Sequence, residues 1–167
     1  MDEKTTDNLA LAFVKTSVAA ERHRVWAMKA RAEGRSGAAR RFEASAASAS
    51  IQAKRCMRLL RGRIGNTDEN IQCAVEGLFP KMARHFCCYL TEARDGDSKV
   101  AEEVFSHCLE VTLGTRVLLS GLDSPAPEDT VGPLFVCQVC GWIETGAAPE
   151  RCPVCNAVEV KFEPVAG

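Results

Sequence analysis

Four cysteines near the C-terminus stand in two pairs, Cys137-Gln-Val-Cys140-Gly141 and Cys152-Pro-Val-Cys155-Asn156, with eleven residues between the pairs. Each Cys-x-x-Cys unit wraps a tight turn that points two sulfurs at one ion. Two such turns facing one another make a closed tetrahedral site. Successive backbone N–H groups in each turn face the sulfurs and spread their charge. The residue after each pair favours a left-handed backbone, which Gly141 adopts freely and Asn156 tolerates. The spacing therefore predicts one metal ion held by Cys137, Cys140, Cys152 and Cys155. Tetrahedral sulfur suits zinc and iron alike, so the ligand set alone leaves both open. Zinc would make the site structural and redox-silent, whereas a single iron would carry one electron while its ligands stay in place. No coordination position remains for a substrate in either case.

The chain has nine cysteines in all. Its N-terminus shows no apolar run behind a basic start, so the expectation is a cytoplasmic protein with reduced thiols and metal ligands rather than disulfides. A net charge of −1 excludes a strong electrostatic pull toward nucleic acid or membrane. No stretch approaches the length of apolar sequence needed to span a bilayer.

The elements that must position these residues fall into two parts. Up to about residue 121 the sequence is rich in Ala, Leu, Arg, Lys and Glu, all good helix formers. Three interruptions, Gly34-Arg-Ser-Gly37, Gly62-Arg-Ile-Gly-Asn66 and Asp95-Gly-Asp-Ser98, divide it into four helices. The first is expected to start near Thr6 and the third at Thr67-Asp-Glu-Asn70. Apolar stripes open at Leu9, Phe13 and Val14 on the first. They run through Ile71, Val75, Leu78, Met82, Phe86 and Leu90 on the third, and through Val100, Val104, Leu109 and Val111 on the fourth. Four amphipathic helices most simply form an antiparallel bundle. Pro80 is anomalous, because inside the third helix it removes a backbone bond. Residues 122–133 contain three prolines and read as a stiff linker. The remaining residues, 134–167, are too few to bury a core unaided, so the metal must staple them. The expected domains are thus 1–121, 122–133 and 134–167.

The segment from Phe135 to Asn156, with its Cys-Gly-Trp142, Gly-Ala-Ala-Pro-Glu turn and later Phe162-Glu163, resembles the rubredoxin-like module at the end of rubrerythrins. Upstream, Asn8-Leu-Ala-Leu-Ala-Phe13, Arg31-Ala-Glu-Gly34 and Ile71-Gln-Cys-Ala-Val-Glu-Gly77 are similar to the helical part of the same family. The resemblance implies a mostly α fold: a ferritin-like four-helix bundle followed by a small β-rich domain. It also implies one iron in the four-cysteine site, a redox partner protein, a homodimer and a role in oxidative stress.

Rubrerythrins also hold a di-iron centre in the bundle, built from carboxylates on all four helices and two Glu-x-x-His units. Here its positions fall on Thr16, on Ala49 and Gln52, on Leu78 and Lys81, and on Thr112 and Thr115. The residues three before the histidines are Ala20 for His23, Met82 for His85 and Val104 for His107, so no Glu-x-x-His occurs. The expectation is a bundle without the di-iron peroxidase site. Cys56, Cys88 and Cys108 each lie seven residues, about two turns, from a vacated position, which predicts inward-facing thiols at one level of the core. They are candidate redox thiols, although cysteine is also an ordinary small core residue. Glu103, His107 and Glu110, and His85 with Glu92, read as solvated stripes, and His23 as a core histidine. Lys81 reads as a cation snorkelling outward beside Pro80. Two alternatives to an electron carrier stay open. One is a peroxide or redox enzyme using the bundle thiols, and the other is a zinc-bound interaction protein.

Overall fold

The computed structural model describes residues 1–60, 64–121 and 132–166. It is mostly helical with a small C-terminal sheet, the fold class expected of a bundle plus rubredoxin-like domain. The chain divides into two compact units, Met1–Gly65 and Asn66–Gly167. Among the described residues, no helix is long and apolar enough to cross a membrane. The linker expected at 122–133 lies, apart from its last two residues, outside the described residues.

The first unit is a hairpin of α1 (Glu3–Ala32) and α2 (Ser36–Leu59). α1 begins three residues before the expected Thr6, because Asp2 caps it by accepting a hydrogen bond of 2.8 Å from the Thr5 N–H. The buried seam repeats at alternating steps of three and four. On α1 it carries Ala20, Ala27 and Ala30, with half-buried Phe13, Thr16 and His23. On α2 it carries Ala39, Ala46, Ala49 and Ala53, with half-buried Phe42 and Cys56. Small side chains at these steps let the two backbones approach closely. The seam differs from the stripe expected at Leu9, Phe13 and Val14. Phe13 joins it, but Val14 is 53% exposed. The cause is the alanine repeat, which sets the face toward α2 about half a turn from Leu11, Val14, Val18 and Val25.

The second unit opens with α3 (Thr67–Gln72), whose start is fixed by a reciprocal cap. Asn66 Oδ1 accepts from the Glu69 N–H at 2.9 Å, and Glu69 Oε2 accepts from the Asn66 N–H at 2.9 Å. A π-helical turn follows at Cys73–Leu78, then α4 (Phe79–Asp95) and α5 (Lys99–Ser120). The π-turn answers the anomaly of Pro80. Phe79 N–H bonds to the Ala74 carbonyl, five residues back. The Val75 carbonyl thus loses its usual donor at 79, and Pro80 has no N–H to replace it. Arg116 of α5 fills the gap, its Nε donating to the Val75 carbonyl at 2.8 Å. α4 and α5 pack through Leu90, Ala93 and Thr112, with Tyr89 and Phe105 ring centroids 5.5 Å apart. Arg94 and Glu102 close the turn between them at 2.8 Å.

The C-terminal residues form an antiparallel sheet in the order β2 (Ile143–Thr145), β1 (Leu134–Cys137), β3 (Phe162–Pro164). Cys137 pairs with Phe162, so the central strand ends on the first metal ligand. The core of this part is Cys137, Cys152 and Phe162. Metal ligands are therefore the core, as expected of a module too small to fold by apolar burial.

Candidate metal centre

The two Cys-x-x-Cys turns are built alike, residue for residue. In the first, the Gly141 N–H bonds to the Cys137 carbonyl at 2.9 Å and the Cys137 N–H to the Trp142 carbonyl at 2.8 Å. In the second, the Asn156 N–H bonds to the Cys152 carbonyl at 2.9 Å and the Cys152 N–H to the Ala157 carbonyl at 2.8 Å. Gly141 has φ 88° and Asn156 φ 59°, the left-handed backbone anticipated at both places.

The turns bring all four sulfurs within 4.8 Å of one another. Cys137 Sγ lies 3.7 Å from Cys155 Sγ, and Cys140 Sγ lies 3.5 Å from Cys152 Sγ. A tetrahedron with metal–sulfur bonds of about 2.3 Å has sulfur–sulfur edges of about 3.8 Å. The sulfur spacing therefore fits a single tetrahedral ion, and the donor set is one that iron and zinc both accept. Among the described residues, this is the one group of three or more potential ligands drawn together.

Thiol chemistry fits a cation as well. Burial pushes the Cys140 thiol well up, and the thiols of Cys155, Cys152 and Cys137 add to this. Burial likewise raises Cys155. Burial also opposes ionisation of Cys137, but the N–H groups of Cys140 and Val139 and the neighbouring thiols outweigh it and bring that thiol to about 7. Without an ion, the Cys137 thiolate forms near neutrality while Cys140 and Cys155 keep their protons. A bound cation displaces them. Within each pair the first cysteine is buried (Cys137 1%, Cys152 3% exposed) and the second is half-buried. Cys140 and Cys155 thus form the accessible edge of the site, beside the exposed Val139.

Residues 135–163 match the family model for the rubredoxin-like domain of rubrerythrin. Over nearly its whole length the chain is similar to Rubrerythrin-2 of Clostridium acetobutylicum. The two are 27% identical over 175 residues, 95% of each chain. It is also 27% identical to a rubrerythrin of Porphyromonas gingivalis, across 97% of this chain and 90% of that one. The chain is thus similar to rubrerythrins over nearly its whole length, and its C-terminal module matches their rubredoxin-like domain. Its fold is similar to that of fully reduced, all-ferrous nigerythrin (TM-score 0.53, 22% identity, 96% of this chain and 86% of that one). It is similar too to the mixed-valence state of nigerythrin (TM-score 0.50, 24% identity, with the same coverage).

The residues onto which the sequence resemblance maps the di-iron ligands of rubrerythrins lie among the described helices. Thr16 is half-buried on the α1–α2 seam, and its hydroxyl donates back to the carbonyls of Ala12 (2.7 Å) and Phe13 (3.2 Å). Thr112, buried, donates to the Cys108 carbonyl at 2.7 Å, and Thr115 to the Val111 carbonyl at 2.8 Å. Ala49 is part of the alanine seam, while Gln52, Leu78 and Lys81 are exposed. The outward Lys81 agrees with the sequence reading.

The three candidate thiols fare differently. Cys56 is half-buried and lines a groove of about 260 Å³ with Ala12, Thr16, Gln52, Arg55 and Leu59. Cys108 is half-buried on α5. Cys88 corrects the expectation of an inward face: it is exposed, and its Sγ lies 3.4 Å from Glu92 Oε1. The hydrogen bond and charge of Glu92 raise the Cys88 thiol, the opposite of what a nucleophile requires. Lys81 is itself exposed, so two-turn counting from it starts on the wrong face of α4. His23 packs against Trp26 and Phe42, at ring-centroid distances of 5.3 and 6.1 Å, as a seam histidine.

One participant does not stand out in the sequence. Gly114, an interior glycine of α5, lies against the Trp142 indole. A lone glycine amid good helix formers is the signal that marks it.

Proposed function

We propose that this protein is a one-electron carrier whose working centre is a single iron held by Cys137, Cys140, Cys152 and Cys155, in a rubrerythrin-type chain that has lost the di-iron peroxidase site. The observation that carries the reading is the pairing of two facts. Four sulfurs are drawn into a metal-sized tetrahedron, while three of the former ligand positions hold threonines whose hydroxyls are spent on their own helix. Two irons need several carboxylates to balance their charge, and Thr16, Ala49, Thr112 and Thr115 offer none.

Iron bound by the four thiolates would supply a single electron by passing between its ferric and ferrous states. The protein's part is to keep the ligands fixed through that change. The mirrored turns do this by tying the backbone of the first ligand in each pair, Cys137 and Cys152, to its own turn. Cys140 and Cys155 present the accessible edge to a redox partner protein.

The reading includes a homodimer. α1 carries a second apolar stripe, Leu11, Val14, Val18, Val25 and Met28, each 45% exposed or more. Its steps of three, four, seven and three match a helix-packing face, which a second copy would cover.

A redox titration tests the central reading. The iron-loaded protein is expected to take up one electron per chain with bleaching of its visible bands. Hydrogen peroxide is expected to reoxidise it no faster than an isolated rubredoxin-like module. Uptake of three electrons, or rapid peroxide turnover, would overturn it. Turnover abolished by Cys56→Ser or Cys108→Ser would instead support a thiol enzyme.

A further inference from the structure

The indole of Trp142, two residues past Cys140, lies on α5 where Gly114 leaves a notch. A Cβ built on Gly114 would overlap Cζ3 of that ring and stand 2.9 Å from Cη2 and 3.3 Å from Cε3. Real Cβ atoms do not approach carbon so closely, so any residue but glycine would displace the ring. Gly114 has no conformational reason to be glycine. It sits in the interior of α5 with a right-handed helical backbone, and it is absent from the glycines with positive φ. There glycine is among the poorest choices, and close approach of another group is the usual reason for keeping it.

A second contact lies one turn away on the same helix. The Gly141 backbone faces Val111, a Cβ there being 3.8 Å from the Val111 Cγ1. Gly141 and Trp142 directly follow the ligand Cys140 and close the first metal turn, since the Cys137 N–H bonds to the Trp142 carbonyl. The indole is further held by Nε1 donating to Glu144 Oε2 at 3.1 Å. Ring, metal turn and helix are thus fixed to one another on one flank of the four-cysteine site.

We propose that Trp142 and Gly114 form a knob-and-notch seat that docks the four-cysteine module on α5, with the Val111–Gly114 surface covering the Gly141–Trp142 flank of the metal site and leaving the Cys140–Cys155 edge open. Trp142 and Gly114 are positioning residues: they touch no reacting atom but decide which flank of the site is open to small molecules. The covering role rests on the electron-carrier reading above; the seat itself does not.

Two measurements on the full-length chain separate these. In zinc-loaded protein, which is diamagnetic whether or not iron is the native metal, proton NMR should find one α-proton of Gly114 shifted well away from that of ordinary helical glycine by the ring current, because it lies against the indole. The shift should return to the ordinary range in Trp142→Leu with zinc content unchanged. An ordinary shift in the unsubstituted chain would overturn the seat. In ferrous iron-loaded protein, ferricyanide takes one electron from each iron and becomes ferrocyanide. Gly114→Leu, a better helix former that leaves α5 sound, should raise that rate several-fold with the visible spectrum unchanged. An equal rate would overturn the covering role. Absence of any ferricyanide reaction would count against the electron-carrier reading, leaving the NMR result to judge the seat.

Discussion

The metal turns and the α1–α2 seam are both built by repetition, and they teach opposite lessons. In the turns, the same five-residue device occurs twice. Its cysteines cannot be exchanged for other residues, because each supplies a ligand and the ligands are the core. In the seam, alanine recurs at Ala20, Ala27, Ala39, Ala46 and Ala53. What matters there is size, and Thr16 and Ala49 sit on that seam as packing residues. Residue identity is fixed where four sulfurs define a site, and only size is fixed where two helices pack.

The comparison can be broken most sharply at Cys152. In Cys152→Ala the metal should be lost and the C-terminal module should unfold, since structural metal sites contribute on the order of 10 kcal/mol. The helical signal at 222 nm should stay nearly intact, and loss of both together would contradict the independence of the two regions.

Acid should act on the same region. A cation must displace protons from Cys140 and Cys155, whose thiols are raised, and below about pH 7 from Cys137 as well. As pH is lowered, zinc affinity of the metal-free protein should therefore drop at least about a hundredfold per pH unit down to pH 7 and at least about a thousandfold per unit below it. Competition with a coloured chelator measures this slope; a flat profile would exclude thiolate ligation.

The seam should respond to volume alone. Ala46→Leu should lose roughly 1–3 kcal/mol by overpacking, read by urea unfolding at 222 nm with iron content unchanged. A smaller effect is expected at Arg116→Met, which strips the Val75 carbonyl of its donor. The cost should be about 1 kcal/mol, because Arg116 is largely solvated. No loss would mean that water caps the π-turn equally well.

Much of this is legible in the sequence, for reasons that differ by region. The Cys-x-x-Cys spacing and the residues after it foretell the metal turns down to the left-handed Gly141 and Asn156, because ligand geometry constrains each residue locally. Helix boundaries at Gly34, Asn66 and Asp95 are readable from turn and cap chemistry. The inward face of α1 is harder to read, because apolar size suggests Val14 whereas close approach selects alanine. Pro80 announces a disturbance but not its form, since a π-turn depends on a remote donor, Arg116, 41 residues on. Turn counting from Lys81, which the structure leaves exposed, puts Cys88 on the wrong side of its helix. The Gly114–Trp142 contact joins two elements through tertiary packing, which local pattern does not record.

The central claim is that the four-cysteine site is the protein's whole complement of metal. Counting metal per chain after expression in iron-sufficient medium tests it most directly, with the visible spectrum taken on the same sample. The account predicts one iron per chain in a red protein whose colour disappears on reduction. About three irons per chain, or a colourless protein carrying only zinc, would contradict it.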